Sequence, residues 1–253
     1  SSRTKWVKRV SKVYGLIGKS LGHSFSQGYF TDKFELQGLP YSYRNFELAN
    51  IQEIQAVFDQ QPAGLNVTIP YKEEIIPFLD ELSDVAETIG AVNTIQFKDG
   101  KKIGHNTDAF GFAQMIKPFF KGRHSNALVL GTGGASKAVE YVLKNLGCEV
   151  FFVTRTPSRP NHVRYEDLGP KFLDKCLLVV NTTPLGMHPN ENEMPLLNYD
   201  ALMENHLLVD LIYNPSKTRF MVEGLNRGAI AINGLTMLHQ QAEEAWRIWN
   251  NPA

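Results

Sequence analysis

Three glycines crowd the first four positions of the stretch GTGGASKAVEYVLKNLG, at Gly131, Gly133 and Gly134. A turn built from glycines lets a phosphate approach the main chain, and a helix that begins directly after it offers free N–H groups and a partial positive charge. The residues before the turn, NALVL, form the continuous apolar run that is typical of a parallel strand buried on both faces. Strand, glycine turn and helix in this order predict a dinucleotide-binding site.

Basic and hydroxyl side chains follow the next predicted strand, in the stretch TRTPSR. Dinucleotide sites that are specific for NAD usually carry Asp or Glu here, because a carboxylate accepts hydrogen bonds from the ribose hydroxyls. This stretch contains no carboxylate but has Thr154, Arg155, Thr156 and Arg159. The 2′-phosphate of NADP is a dianion near neutral pH, and guanidinium groups with neighbouring hydroxyls suit it. We therefore expect NADP rather than NAD, and an ordinary solvated basic turn is the alternative for this stretch.

Two serines in the N-terminal half form a candidate anion site. Ser24 and Ser26 stand where a helical stretch begins, and either one is a suitable N-cap for that helix. Two hydroxyls at this spacing exceed the needs of capping. Together with the helix dipole they fit a small carboxylate.

A lysine and an aspartate are the candidates for proton transfer. Residues 64–69 alternate, so Asn66 and Thr68 share the polar face of a predicted strand, and Lys72 follows at the start of a short helical segment. Asp108 stands just ahead of another amphipathic helix. A solvated surface position is the alternative for Lys72, and capping of the helix is the alternative for Asp108. Sequence pattern alone does not bring the two side chains together.

The predicted pattern of strands and helices that position these residues changes along the chain. Before residue 106 we predict short strands and a hairpin with Gly100 at its tip, and after residue 126 we predict strands that alternate with helices, as in a parallel sheet. The last helix carries Gln241 inside its apolar stripe, where either an internal hydrogen bond or a ligand contact satisfies the amide. The predicted strands lie at 13–17, 64–69, 90–95, 126–130, 149–153, 177–181, 207–213 and 229–234.

Composition limits the class of protein. Hydrophobic residues make up 43% of the 253 residues and the formal net charge is zero, so we expect a globular protein that binds no nucleic acid. No apolar run is long enough to span a membrane, and we expect no membrane partner. Cys148 and Cys176 form no CxxC pair, which favours reduced thiols in a cytoplasmic protein.

The order and spacing of nine motifs resemble the shikimate dehydrogenase family. The resemblance runs from residue 14 to residue 249, nearly the whole chain. The motifs are GHSFS, NVTIPYK, GAVNTI, NTDAFGF, GTGGAS, TRTPSR, NTTPLGM, DLIYNP and GLTMLHQQA. Two departures are Gln27, where the family often has Pro, and Thr154, where its phosphate turn usually begins with Asn.

The resemblance implies an α/β fold of two α/β domains with a cleft between them. Residues 1–105 and 235–253 are then the substrate-binding domain, and residues 106–234 are the Rossmann-type NADP domain. The implied partner is a small molecule, the implied assembly is a monomer or a homodimer, and no metal is implied.

Each site residue is carried over from the family by its motif. Ser24 and Ser26 would bind the substrate carboxylate, and Lys72 and Asp108 would be the catalytic pair. The residues implied to bind or line the ring of the substrate are Asn66, Thr68, Asn93, Asp108, Tyr213 and Gln241. The residues implied to bind NADP are Gly131, Gly133, Gly134, Ala135, Thr154, Arg155, Thr156, Arg159, Thr182, Met187 and Gly234.

The implied reaction is the reversible reduction of 3-dehydroshikimate to shikimate by NADPH, a step of chorismate and aromatic amino acid biosynthesis. Two roles stay open for Lys72: it exchanges a proton with the substrate oxygen, or it stabilises the negative charge there while water relays the proton. There are two alternatives to this enzyme. A quinate/shikimate dehydrogenase that uses NAD should carry an acid after the second strand of the NADP domain. A metabolite sensor without catalysis should lack Lys72 or Asp108, and both are present.

Overall fold

The computed structural model describes residues 9–22 and 24–251 of the chain. The described residues form twelve β-strands and eight α-helices, joined by loops and four short 3-10 helices. The chain divides into two compact units, which we call the first unit (Ser1–Thr107 and Ala242–Ala253) and the second unit (Asp108–Gln241). The second segment of the first unit therefore begins at Ala242, inside the last helix. The domain division implied by the family resemblance has this boundary at residue 235.

A six-stranded mixed sheet forms the centre of the first unit. Strand β1 pairs in parallel with β2 and β3, while β5 runs antiparallel to β3 and β6, in the order β2-β1-β3-β5-β6-β4. The strands are β1 (Lys12–Gly18), β2 (Tyr41–Glu47), β3 (Gly64–Val67), β4 (Glu81–Leu82), β5 (Thr94–Lys98) and β6 (Lys101–His105). The helices of this part are α1 (Phe25–Leu36), α2 (Ile54–Phe58) and α3 (Asp84–Ile89).

The hairpin predicted at Gly100 is confirmed. It joins β5 to β6, and both central residues have positive φ, 52° at Asp99 and 74° at Gly100, as the tightest hairpin turns require. The strand predicted over residues 90–95 is wrong in its first four residues. Gly90 ends α3 in the left-handed conformation, with φ of 76°, and β5 begins only at Thr94.

The strand predicted over residues 64–69 ends two residues early. The amide of Thr68 still donates to the carbonyl of Ile17, but the chain then turns, because the amide of Tyr71 donates back to the carbonyl of Thr68. The side chain of Ile69 is consequently 69% exposed and does not share the buried face of Leu65.

A parallel six-stranded sheet forms the centre of the second unit, in the order β12-β11-β10-β7-β8-β9. Its strands are β7 (Asn126–Leu130), β8 (Glu149–Val153), β9 (His162–Val163), β10 (Leu178–Asn181), β11 (Leu207–Asp210) and β12 (Ile230–Ile232). The remaining helices are α4 (Thr107–Ile116), α5 (Gly134–Asn145), α6 (Pro170–Lys175), α7 (Arg219–Asn226) and α8 (Leu235–Trp249). Every residue of β10 and β11 is buried, which explains why these segments read as unbroken apolar runs.

The C-terminal end of α8 packs on the sheet of the first unit. A side chain on Gly64 would place its Cβ 2.6 Å from the indole of Trp249, so glycine is what lets the ring lie against β3. The indole Nε1 of Trp249 donates to the carbonyl of Ile95 at 3.1 Å, and Nε2 of Gln96 donates to the carbonyl of Ile248 at 3.1 Å. These contacts hold the helix end against the middle of the sheet.

The described part of the chain contains neither a candidate membrane span nor a candidate metal cluster. Over residues 9–22 and 24–251, no helix has the length and apolar character that crossing a bilayer requires. Within the same ranges, no group of three or more His, Cys, Asp or Glu side chains is arranged to hold a metal ion. Cys148 and Cys176 are both buried free thiols.

Candidate functional site

The topology of the first sheet brings polar residues together at one end of its strands. Strands β1, β2, β3 and β6 all finish at this end of the sheet, and the antiparallel β5 starts from it. The register confirms the convergence, since Asn66 pairs with Thr94 and Thr94 pairs with His105. The segments that carry the predicted substrate residues of the first unit therefore meet at one end of the sheet.

Side chains of β2 orient the two serines. Ser24 caps α1 by accepting from the amide of Gln27 at 3.4 Å, and its hydroxyl donates to Oδ1 of Asn45 at 3.1 Å. Ser26 hydrogen-bonds the hydroxyl of Tyr43. Capping thus accounts for one contact of Ser24, while a further side chain fixes each hydroxyl. Tyr43 and Asn45 were not among the residues singled out in the sequence, where their only signal is their spacing of two along one strand.

The contact of Ser26 continues into the sheet. The hydroxyl of Tyr43 donates to Oδ1 of Asn66 at 2.7 Å, and Nδ2 of Asn66 donates to Oγ1 of Thr94 at 3.2 Å. Burial raises the pKa of Tyr43, and its hydrogen bond with Ser26 opposes that shift. Both ends of the Asn66 amide are therefore engaged by protein groups, which supports a positioning role for this residue.

Asn93 locks the segment that leads into α4. Its Oδ1 accepts from the amide of Thr107 at 2.7 Å, and its Nδ2 donates to Oγ1 of Thr107 at 2.9 Å. The backbone of Asn93 is held as well, since its amide donates to the carbonyl of His105 and its carbonyl accepts from the amide of Val67. The residue that precedes Asp108 in the chain is thus held by two hydrogen bonds to a buried asparagine whose own backbone is fixed.

Lys72 lies in a turn that is hydrogen-bonded to the same end of the sheet. Its carbonyl accepts from the amide of Val92 at 2.7 Å, next to Asn93, and its side chain is half-buried. The hydroxyl of Tyr71 donates to the carbonyl of Leu48, which anchors the turn from the other side. The helical segment begins at Ile76, four residues later than the sequence pattern predicts.

A glycine brings the helices that carry Asp108 and Gln241 together in the second unit. Asp108 lies in the first turn of α4, one residue inside the helix, and Gly111 follows three residues later on the same helix face. A Cβ on Gly111 would lie 2.5 Å from the carbonyl oxygen of Met237 and 3.2 Å from the amide of Gln241. The side chain of Gln241 is 7% exposed. The absence of a side chain at Gly111 therefore allows α8 to lie against α4 at Gln241.

The glycine turn leaves room for a ligand to approach its main chain. Gly131 has φ of 95°, and a Cβ there would come within 3.0 Å of Oγ1 of Thr182, so both its backbone and its packing demand glycine. By contrast, a Cβ on Gly133 or Gly134 would meet no heavy atom within 4 Å in the described structure. The internal packing of the fold does not require these two glycines, whereas close approach of a pyrophosphate does. The residues fit the cofactor that the sequence predicts.

The turn also stands where the strand order reverses. The chain proceeds from β7 to β8 and β9 on one side of the sheet and continues with β10 on the other side of β7. In such sheets the ligand binds at the carboxyl ends of the strands flanking this reversal. Thr182 follows β10, and both its amide and its hydroxyl donate to the carbonyl of Leu130, at 3.0 and 2.7 Å. Met187, in the loop that follows, is 47% exposed.

The two arginines in the stretch after β8 differ in whether they pair with a carboxylate. Thr154 is buried, and its hydroxyl accepts from the amide of Thr156 at 3.2 Å. Arg155 is exposed and forms no ion pair with any carboxylate of the described residues. Arg159, in contrast, donates from Nη1 and Nη2 to the two carboxylate oxygens of Glu140, at 3.2 and 2.9 Å. Glu140 was not among the residues singled out in the sequence.

Packing accounts for the glycine at position 234. A Cβ on Gly234 would lie 2.0 Å from the carbonyl oxygen of Leu211, and the amide of Gly234 donates to the carbonyl of Ile212 at 3.0 Å. Tyr213 is 38% exposed in the turn that follows β11. Any cofactor contact of Gly234 must therefore use its main chain.

A buried carboxylate ends β11 earlier than the predicted strand over residues 207–213. Asp210 accepts from the hydroxyl of Thr218 at 2.6 Å, from the amide of Ile212 at 3.1 Å and from Nδ2 of Asn181 at 3.2 Å. The amide of Ile212 is thereby turned away from the sheet ladder. Burial raises the pKa of Asp210 to about 6, against the opposing effect of these three hydrogen bonds.

Comparison with known proteins identifies the family. Residues 16–95 match the model of the shikimate dehydrogenase substrate binding domain. The chain is 37% identical to the shikimate dehydrogenase (NADP(+)) of Carboxydothermus hydrogenoformans, over 94% of this chain and 91% of that protein.

Solved structures of two related dehydrogenases are similar to this chain in fold and in sequence. Shikimate 5-dehydrogenase from Thermus thermophilus, in complex with NADP(H) and shikimate, is 32% identical with a TM-score of 0.83, over 94% of this chain and 93% of that one. Quinate dehydrogenase from Corynebacterium glutamicum, in complex with NAD, is 27% identical with a TM-score of 0.86, over 95% of this chain and 94% of that one. The two-domain Rossmann-type α/β fold is thus confirmed, and the chain belongs to the shikimate dehydrogenase family.

Proposed function

We propose that the protein is an NADP-dependent shikimate dehydrogenase, which reduces 3-dehydroshikimate reversibly to shikimate in chorismate and aromatic amino acid biosynthesis. The observation that carries this proposal is the extent of the relationship, 37% identity over 94% of the chain to an NADP(+) enzyme of that name. The glycine turn at the reversal of the strand order supports it, because two of its glycines leave open space in front of a helix N-terminus.

The substrate carboxylate binds the hydroxyls of Ser24 and Ser26. Their contacts with Asn45 and Tyr43 support this assignment, because a hydroxyl whose rotation is already restricted loses less entropy on binding. The remaining polar residues bind the ring hydroxyls or hold those that do. In this proposal Thr68, Asn93, Asp108 and Gln241 bind the ring. Asn66 holds the main chain of Asn93, because its Nδ2 donates to that carbonyl. Tyr213 lines the site.

Lys72 and Asp108 act as the catalytic pair. When bound, NADPH supplies the hydride that reduces the C3 carbonyl of the substrate. The ammonium of Lys72 stabilises the negative charge that develops on the carbonyl oxygen and transfers a proton to it. In the reverse direction Lys72 accepts that proton, and the carboxylate of Asp108 orients the hydroxyl by accepting a hydrogen bond from it.

The cofactor is held by the second unit in three places. Gly131, Gly133, Gly134 and Ala135 receive the pyrophosphate at the N-terminus of α5. The side chains after β8, Thr154, Arg155, Thr156 and Arg159, receive the 2′-phosphate. Thr182, Met187 and the main chain of Gly234 would hold the nicotinamide end.

Cysteine chemistry supports a cytoplasmic location. Burial raises the pKa of the Cys148 thiol to about 11 and that of the Cys176 thiol to about 12, which keeps both thiols protonated and unreactive. Neither cysteine forms a disulfide, as expected in a reducing compartment. We expect a monomer or a homodimer, which analytical ultracentrifugation of the purified chain distinguishes.

The direct test follows NADPH oxidation with 3-dehydroshikimate for the wild type and for Lys72→Ala. We expect turnover in the wild type and a loss of at least about 100-fold in the variant, because proton transfer by a positioned group contributes at least that factor. The Kd for shikimate, measured by calorimetry, should change less than about threefold. Lys117→Ala, at an exposed lysine, is the matched control. Full turnover in Lys72→Ala would remove the lysine from the mechanism.

A second candidate is a quinate/shikimate dehydrogenase that uses NAD. The observation that favours it is Glu140, whose carboxylate occupies Arg159 and adds negative charge beside the predicted phosphate site. No residue of the stretch 154–159 carries a carboxylate, which favours NADP instead.

A further inference from the structure

We propose that Glu140 lowers the preference for NADP over NAD, because its carboxylate forms an ion pair with Arg159. The 2′-phosphate of NADP then has to displace this carboxylate from Arg159 in order to bind. The inference rests on the cofactor site proposed above. It concerns a residue of α5 that faces the phosphate site from the side.

The first step is how fully Arg159 is engaged. Two of its nitrogens donate to both oxygens of Glu140, at 3.2 and 2.9 Å, and its Nε donates to Nε2 of His162 at 3.0 Å. The guanidinium carbon also lies 5.1 Å from the ring centroid of Phe152. The donor fork of Arg159 is therefore already paired with a carboxylate in the geometry that a phosphate would use.

The second step is what happens to Glu140 when Arg159 is released. Nζ of Lys144, one helical turn further along α5, lies 3.7 Å from Oε1 of Glu140. The Glu140 side chain is 17% exposed, whereas that of Arg159 is 45% exposed. Because Lys144 is at hand, Glu140 keeps a cationic partner after Arg159 has turned to the ligand. Exchange of partners therefore does not leave a sheltered carboxylate without a counter-charge.

The third step compares the two anions. A phosphate dianion carries more charge than a carboxylate and offers three acceptor oxygens, so it wins the exchange for Arg159. The displaced Glu140 carboxylate remains near the dianion and repels it. Both effects lower the affinity for a 2′-phosphate and leave a ligand without that phosphate unaffected. Glu140 thus limits the preference for NADP over NAD that the two arginines would otherwise give.

Binding of 2′,5′-ADP and of 5′-AMP to the full chain, measured by calorimetry, tests the exchange. We expect Glu140→Gln to tighten 2′,5′-ADP by about three- to tenfold, since a partly exposed ion pair and one repulsive charge are removed. Binding of 5′-AMP should change less than about twofold. Lys144→Gln should weaken 2′,5′-ADP, because Glu140 then has no second cation and holds Arg159 more firmly.

Controls separate this effect from fold stability and from the cofactor assignment. Glu223→Gln removes a comparable ion pair, Glu223 with Arg227 at 2.6 Å in the same unit, and should leave both affinities unchanged. In the background of Arg159→Ala, the gain from Glu140→Gln should fall to the smaller part that comes from removing the repulsion, because there is no longer an ion pair to exchange. Unchanged or weaker binding of 2′,5′-ADP by Glu140→Gln overturns the exchange. If Arg155→Ala and Arg159→Ala both leave the preference for 2′,5′-ADP intact, the proposed cofactor site itself fails.

Discussion

Each serine of the predicted anion site is held by a different side chain of β2, and Tyr43 is the more consequential of the two. It is buried and joins Ser26 to Asn66 through a single hydroxyl. The hydroxyl oxygen of Tyr43 is already engaged by these two protein groups. In the proposed site, Tyr43 fixes the hydroxyl of Ser26, which we expect to bind the substrate carboxylate.

Tyr43→Phe should therefore raise the KM for shikimate with little effect on kcat. We expect about a tenfold increase in KM, or about 1.4 kcal/mol, because one net hydrogen bond is lost and two polar groups lose their partner. Steady-state kinetics at saturating NADP measures both constants. Tyr41→Phe, on the same strand and face, is the control and should behave as the wild type. A loss confined to kcat would place Tyr43 in the chemical step instead.

Arg155 carries the prediction for the cofactor. It is exposed and pairs with no carboxylate of the described residues, so its charge is available to a 2′-phosphate. Arg155→Asp should weaken NADP by about 100-fold and NAD by less than about threefold, since only the former brings a dianion to this position. Equilibrium binding of both dinucleotides, followed by fluorescence of the reduced forms, provides the measurement. Equal weakening of the two would count against the phosphate site.

Individual residues show where sequence reasoning ends. The glycine turn was recognisable because its strand, turn and helix are contiguous, and Thr154 to Arg159 because they follow the next strand. Tyr43, Asn45 and Glu140 were not recognisable. Each acts through a partner about 20 residues away, and only the sheet register or the packing of α5 shows the pairing.

At the scale of elements, the close approach of α4 and α8 depends on Gly111. Gly111→Ala would force its Cβ to within 2.5 Å of the carbonyl of Met237, so the two helices must separate. We expect a loss of about 2 kcal/mol in unfolding free energy and a several-fold rise in the KM for shikimate, because Asp108 and Gln241 lie on these helices.

Chemical unfolding and steady-state kinetics of Gly111→Ala measure the two effects. Gly122→Ala is a matched control, since a Cβ on Gly122 would meet no atom within 4 Å in the described structure. An unchanged KM together with reduced stability would mean that the helix contact is purely structural.

The end of β11 predicts a dependence of stability on pH. The pKa of Asp210 is raised by burial from 3.8 to about 6, so the folded protein keeps this proton in a window where the unfolded chain has lost it. The stabilisation is complete below pH 4 and is lost as the pH rises through about 6. At about 1.4 kcal/mol per pKa unit, the change is about 3 kcal/mol.

Urea unfolding of the wild type and of Asp210→Asn between pH 4 and pH 7 isolates this contribution. The unfolding free energy of the wild type, taken relative to that of Asp210→Asn, should fall by about 2 kcal/mol from pH 4 to pH 7, because the other acids titrate equally in both. A constant difference across that range would contradict a raised pKa for Asp210.

Elements were predictable where the pattern was local. The hairpin at Gly100 and the helix after the glycine turn follow from contiguous residues. Strand ends were not predictable over residues 64–69, 90–95 and 207–213. There a turn at Thr68, the left-handed Gly90 and the buried Asp210 end or delay the strand, and the apolar pattern continues past each of these points.

For the whole molecule, the change in the predicted pattern of strands and helices near residue 105 corresponds to a change from a mixed sheet to a parallel sheet. The mixed sheet of the first unit gathers hydroxyl and amide groups at one edge, whereas the parallel sheet of the second unit presents a glycine turn at the reversal of its strand order. A small polyhydroxylated acid suits the former and a dinucleotide suits the latter. The family relationship extends across both sheets, with 94% of the chain covered.

The most direct test of the proposed function is kcat/KM for four combinations, shikimate or quinate with NADP or NAD. We predict that shikimate with NADP exceeds each of the other three by at least about tenfold, or about 1.4 kcal/mol of transition-state stabilisation. Equal values for all four combinations would contradict both the cofactor and the substrate that we propose, and the highest value with NAD would contradict the cofactor.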